Sequence, residues 1–268
     1  MSPEASQGQL LIDEPASGVV RLTISNPDKS GALDHAILDR FATLLPTLEA
    51  HCVLITGQER IFSAGYDIGD LGGREPIMFA DEAEKLVAHP FAAAIDAIEA
   101  YPYPTLAALN GHTIGGGLEL ALSCDLRIGA RPIKLGMPPA KLGLVYSHTG
   151  IRKFIDAIGA PRTRELFLLG RNIDAGEARA WGLVNSVCEP EELAEAALAV
   201  ARELAGNAPL AQRGNKRVIR AVLEAQASMA PEVEQELIEL RRACFASDDF
   251  REGVRAFAEK RPPEWKGR

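Results

Sequence analysis

Apolar positions along the chain change period several times, and each change marks an element. Val20, Leu22 and Ile24 alternate with polar neighbours, as in a strand with one buried face. Asn26-Pro27-Asp28 turns the chain. Leu33, Ile37, Leu38, Phe41, Leu44, Leu45 and Leu48 then recur at helical spacing, with Asp34 as cap and Pro46 at the last turn or a kink. A β-branched run over 52–56, closed by Gly57, predicts a second strand. Residues 61–68 read as a strand exit with Gly65 inside it, followed by a glycine-rich loop over 69–76. A helix over 79–100, interrupted near Pro90, ends at Tyr101-Pro102-Tyr103-Pro104, where two prolines block continuation.

The apolar run 105–109 is a buried strand leading into Asn110-Gly111 and Gly115-Gly116-Gly117-Leu118-Glu119, which opens a helix-like stretch. A short strand over 126–128, a Gly- and Pro-rich loop over 134–150 and helices over 151–158 and 162–169 follow, the last two split by Gly159-Ala160-Pro161. Asp174 caps a short helix to Trp181, and 184–188 is a last strand. From Glu191 onward the period is helical throughout, broken near Asn207-Ala208-Pro209 and Met229-Ala230-Pro231. Strands alternating with helices, then helices alone, predict an α/β core over 1–205 and a C-terminal helical region over 206–268.

Composition narrows the class. Of 268 residues, 47% are hydrophobic and 25% charged, ordinary values for a globular chain that can bury a large core. The net charge of −8 argues against non-specific nucleic-acid binding. Cys52, Cys124, Cys188 and Cys244 form no CxxC pair and follow a polar N-terminus, so reduced thiols in a cytoplasmic protein are expected. The five histidines lack metal-binding spacing, and no metal or membrane span is expected.

The candidate chemistry sits at the glycine stretch. A helix starting there presents unpaired N–H groups and a positive dipole end to negative charge, and glycine lets the ligand approach the backbone. Glu119, one turn in, sets a carboxylate beside those amides. Taken alone, the same pattern also describes a tight strand-to-helix turn with a first-turn Glu that complements the dipole.

Wider context separates these readings. Phe62-Ser63-Ala64-Gly65-Tyr66-Asp67-Ile68, Asn110-Gly111 with Gly115 to Ala121, Cys124-Asp125-Leu126-Arg127-Ile128 and the segment 178–185 occur in that order. Together they resemble the crotonase family, also called the enoyl-CoA hydratase/isomerase superfamily, over nearly the whole chain. The resemblance implies a spiral of ββα turns with a C-terminal helical region used in assembly, as a homotrimer or a dimer of trimers. It implies acyl-CoA thioesters as ligands, with coenzyme A arriving in the substrate and no separate cofactor. Two main-chain N–H groups, here of Tyr66 and Gly116, would hold the thioester oxygen as enolate charge develops. Lys29, Ala32, Ala64, Asp67 and Ile68 match the CoA-contacting positions, and the resemblance implies Lys29 and Lys260 as phosphate partners.

Which reaction follows depends on two further positions. Hydratases of the family use two glutamates; the first matches Glu119, but the second falls on Pro139 in Gly136-Met137-Pro138-Pro139, which has no acid–base function. The run Met137 to Tyr146, with Gly72-Gly73-Arg74-Glu75-Pro76, resembles the methylmalonyl-CoA decarboxylase branch, whose tyrosine orients the substrate carboxylate. Three readings stand: a decarboxylating lyase using Tyr146; a hydratase or isomerase with Glu119 as its one carboxylate, assisted by His148 or Tyr146; and a non-catalytic acyl-CoA-binding protein.

Overall fold

The computed structural model describes residues 7–66, 87–227 and 229–268. Its strands are β1 Gln9–Ala16, β2 Val19–Ser25, β3 Cys52–Gly57, β4 Ile61–Ser63, β5 Thr105–Leu109, β6 His112–Ile114, β7 Leu126–Ala130, β8 Lys134–Gly136, β9 Asn172–Asp174 and β10 Ser186–Cys188. The described helices are α1 His35–Leu44, α2 Ala92–Ala100, α3 Gly116–Ser123, α4 His148–Leu169, α5 Ala175–Trp181, α6 Leu193–Gly206, α7 Pro209–Gln226, α8 Pro231–Phe245 and α9 Asp248–Ala258.

Six strands form one sheet in the order β1-β2-β3-β5-β7-β10, and four form a second in the order β4-β6-β8-β9. Within the larger sheet only β1 and β2 are antiparallel. Parallel neighbours need a crossover, and the chain makes it by the same route each time. Thus β3 and β4, β5 and β6, and β7 and β8 each place one strand in either sheet before a helix returns. This is the spiral of ββα turns the resemblance implied. Period alone missed β1, β6, β8 and β9; the last three are only three residues long, too short to show alternation.

Other local expectations match. Asp34 caps α1 by accepting from Ile37 N at 3.0 Å, and Asp174 caps α5 from Glu177 N at 2.8 Å. Pro46 lies in the 3-10 turn that closes α1, Pro90 in a π-helical turn before α2, and Gly159, at φ 74°, kinks α4. The last strand begins at Ser186, because the Leu183 and Val184 N–H groups donate back to Ala178 O in α5 and do not join the sheet.

The C-terminal helices divide by how they bury themselves. α7 has no buried residue and exposes Val218, Ile219, Val222 and Leu223, although Lys216 ties it to Asp125 at 2.7 Å. α9 instead packs on the 3-10 turn Pro139–Leu142: Cβ atoms added to Gly253 and Gly143 would meet Leu142 O at 2.3 Å and Asp249 O at 2.7 Å. That contact fixes the segment leading to Tyr146. Among the described residues no helix is long and apolar enough to cross a membrane.

Candidate active site

Two strand ends meet at the glycines. Gly65 follows β4 at φ 95°, and a Cβ there would lie 2.8 Å from Ile114 O and 3.1 Å from Gly116 N. Only a residue without a side chain allows that approach. One residue on, a Cβ at Gly117 would lie 2.6 Å from the Ser63 Cβ, so α3 starts hard against β4. The far end of α3 is closed by Arg127, whose buried guanidinium donates to Cys124 O at 2.7 Å and Leu183 O at 2.8 Å.

Both predicted main-chain donors lie at this junction. Gly116 is the first residue of α3, so its N–H has no intrahelical acceptor. Tyr66 forms a parallel bridge with Leu33, whose N–H donates to Gly65 O at 2.7 Å. Successive amides on an extended chain point to opposite edges, so the Tyr66 N–H faces away from that bridge. The Tyr66 ring lies over Gly116, 3.2 Å from where a Cβ would be, and meets Phe91 edge-on at 4.6 Å.

Side chains close the other half of the cleft. Glu119 is only 4% exposed, and Tyr146, itself buried, donates its hydroxyl to Glu119 Oε2 at 2.5 Å. The Tyr66 phenol lies close enough to this pair for it and Tyr146 to shift each other's titration. Gly150, in the first turn of α4, makes room: a Cβ there would sit 2.7 Å from the Tyr146 ring and 2.9 Å from Glu119 Oε1.

Burial dominates the electrostatics. Desolvation raises the Glu119 carboxyl to about 7, against downward pulls from the Tyr146 hydroxyl, Lys153 and Arg241. Lys153 is shared with Glu99, with which it forms an ion pair joining α4 to α2. Burial, and then the charge of Glu119, push both phenols well above the ordinary tyrosine value, so they remain neutral donors. Pro139 is buried, and the other buried carboxylate among the described residues, Glu252, is bound to Arg255 and Arg261. Among the described residues, the one carboxylate whose charge acts on Glu119 is Glu99, and Lys153 binds it.

The remaining sequence-selected positions are spread more widely. Lys29 ends a 3-10 turn whose next residues include buried Ala32, and Ala64 N donates to Ser30 O at 3.1 Å, joining that turn to the β4 exit. A cavity of about 520 Å3 beside this turn is lined by residues including Asn26, Gly31 and Arg60, but by none of Tyr66, Gly116, Glu119 or Tyr146. Lys260 is exposed just beyond α9. Asp67 and Ile68 lie outside the described residues. Sequence reasoning passed over Lys153, Gly150 and Arg241, because none stands in a motif and a charged helical residue ordinarily faces solvent.

The chain is similar to known proteins along nearly its whole length. Residues 14–268 match the enoyl-CoA hydratase/isomerase family. A putative enoyl-CoA hydratase/isomerase of Bacillus subtilis (strain 168) is 33% identical over 255 residues, covering 92% of this chain and 94% of its own. Methylmalonyl-CoA decarboxylase of Escherichia coli (strain K12) is 32% identical over 246 residues, covering 89% and 91%. A solved methylmalonyl-CoA decarboxylase in complex with 2-nitronate-propionyl-CoA superposes with a TM-score of 0.85 at 29% identity, covering 97% of this chain and 98% of that one. With the ββα spiral and the match across nearly its full length, the chain belongs to the enoyl-CoA hydratase/isomerase (crotonase) family of acyl-CoA-processing enzymes.

Proposed function

We propose that this protein is a lyase that decarboxylates a methylmalonyl-CoA-type thioester. The observation that carries the reading is the buried Tyr146–Glu119 pair with Pro139 in place of a second carboxylate. Hydration across a double bond draws on two acid–base groups, whereas decarboxylation needs orientation and a place for charge. With the departing carboxylate held out of the thioester plane, the Cα–carboxyl bond breaks. Its electron pair enters the thioester carbonyl as an enolate, and CO2 leaves. The Tyr66 and Gly116 N–H groups stabilise the enolate oxygen. A proton then reaches Cα from Glu119 or water, giving the shortened acyl-CoA.

In this scheme Lys29, Ala32, Ala64, Asp67, Ile68 and Lys260 contact the CoA portion. The exposed apolar residues of α7 form an assembly face for a homotrimer or dimer of trimers in the cytoplasm.

A second reading has its own support. A carboxyl raised to about 7 is poised for proton transfer at neutral pH, which suits an enoyl-CoA hydratase or isomerase working with Glu119 alone. Product analysis on malonyl-, methylmalonyl- and crotonyl-CoA decides between them. Release of CO2 is expected, and Tyr146→Phe is expected to suppress it while thioester binding persists. Hydration of crotonyl-CoA without CO2 release selects the second reading; tight binding with no turnover marks a non-catalytic member of the fold.

A further inference from the structure

Arg241 lies on α8, the helix that packs against α4, and neither reaction scheme uses it. Its charge reaches the cleft from the C-terminal side, favouring the ionised forms of both Glu119 and Tyr66. Its Nε is buried and has no hydrogen-bond partner among the described residues. Proteins seldom leave a buried charged donor unpaired, because it has lost water without gaining an acceptor. Among the described residues, the carboxylates of the cleft and of the same helix are engaged elsewhere. Glu119 Oε2 accepts from Tyr146, Glu99 is bound by Lys153, and Glu234, on the same helix, faces His148 at 3.4 Å. A cation within electrostatic reach of Glu119 and Tyr66 thus keeps a buried donor unspent among the described residues.

We propose that Arg241 is a specificity-determining residue that pairs with a second carboxylate on the acyl group, so that the site prefers CoA thioesters of dicarboxylic acids over neutral acyl chains. This rests on the acyl-CoA reading but not on decarboxylation. A guanidinium suits the task, since it stays charged and presents parallel N–H groups to a carboxylate.

The pairing has a signed kinetic consequence. Decarboxylation moves negative charge off the carboxylate and onto the thioester oxygen, at the Gly116 side of the cleft. A cation on the carboxylate therefore favours bound substrate over the transition state. Arg241 lowers KM and does not raise kcat, so its removal raises KM with kcat held or increased.

Two inert thioethers test this without turnover: 2-carboxypropyl-CoA and its neutral counterpart 2-methylpropyl-CoA. Their affinities are measured by titration calorimetry on the full chain, as wild type, Arg241→Met and Arg241→Lys. Wild type is expected to bind the charged thioether roughly tenfold or more tightly than the neutral one. Arg241→Met should lose roughly 10- to 100-fold on the charged ligand and little on the neutral one, which also controls for folding. Arg241→Lys should fall between. No preference in the wild type, or the same preference in Arg241→Met, overturns the proposal, as does a fall in kcat with KM unchanged. Loss of the preference in Arg241→Met with no CO2 release from any thioester removes the decarboxylation reading and leaves Arg241 in place.

Discussion

The cleft has two halves built by different means. At Gly65, Tyr66 and Gly116 the working atoms are main chain, and their positions follow from close approach: two backbones meet where no Cβ fits. At Glu119, Tyr146 and Arg241 the working atoms are side chains from α3, the segment before α4, and α8, and their behaviour follows from burial and charge. The first half is fixed by sterics and indifferent to pH. The second titrates. Substitutions should therefore fail differently in each, through geometry on one side and through protonation on the other.

Gly65→Ala should give the largest effect. The new Cβ would press on Ile114 O and Gly116 N, in a left-handed conformation that side chains resist. Both proposed N–H donors would move. Losing one such donor costs about 3 kcal/mol of barrier, so kcat should fall roughly 100-fold or more, with a lower Tm. Turnover at saturating thioester, beside a thermal melt, measures both. A folded Gly65→Ala protein with wild-type kcat would show that the backbone half is not the oxyanion site.

Glu119→Gln probes the titrating half through stability. The carboxyl rises from 4.5 to about 7 on folding, so between these values the folded state holds the proton more tightly than the unfolded state. Stability contributed by the protonated form is complete below the unfolded value and declines as pH climbs toward 7, by about 3 kcal/mol in all. Above that range wild type carries the cost of a buried charge, which Gln avoids. Urea unfolding at pH 5 and pH 8 should show wild type losing stability over the interval and Glu119→Gln losing less. Parallel pH profiles for the two proteins would mean that Glu119 is ionised throughout, with its burial offset by Lys153 and Arg241.

The same division explains what the sequence made legible. The backbone half is local: Ser63-Ala64-Gly65-Tyr66 and Gly115-Gly116-Gly117 are short runs whose glycines record steric need, and a reader of the chain meets that need directly. Helix caps at Asp34 and Asp174 were readable for the same reason. The side-chain half is assembled across distance. Tyr146 reaches Glu119 over 27 positions, Gly150 matters only because a carboxylate lies above it, and Arg241 enters from the C-terminal helices. No period or motif encodes such encounters, because they depend on how α8 and α9 fold back onto the core. Strands β6, β8 and β9 escaped for a related reason: a second sheet of three-residue strands is specified by the turns between the sheets, not by alternation within them.

Tyr66 belongs to both halves, and that makes its smallest change the most discriminating. Its amide is set by the bridge to Leu33, while its phenol lies beside the Tyr146–Glu119 pair and interacts with both. Tyr66→Phe keeps the amide and the ring that covers Gly116, and removes only the outer link. Glu119 retains its direct bond from Tyr146, so the loss is confined to a contact between neutral phenols, about 1 kcal/mol or less. Turnover should fall no more than roughly fivefold, with the pH profile unmoved. A drop as large as that of Gly65→Ala, in a protein whose melting is unchanged, would place the Tyr66 phenol itself on the reacting atoms. Tyr66 would then act through its side chain as well as its amide, and the line between a steric half and a titrating half would run through this residue.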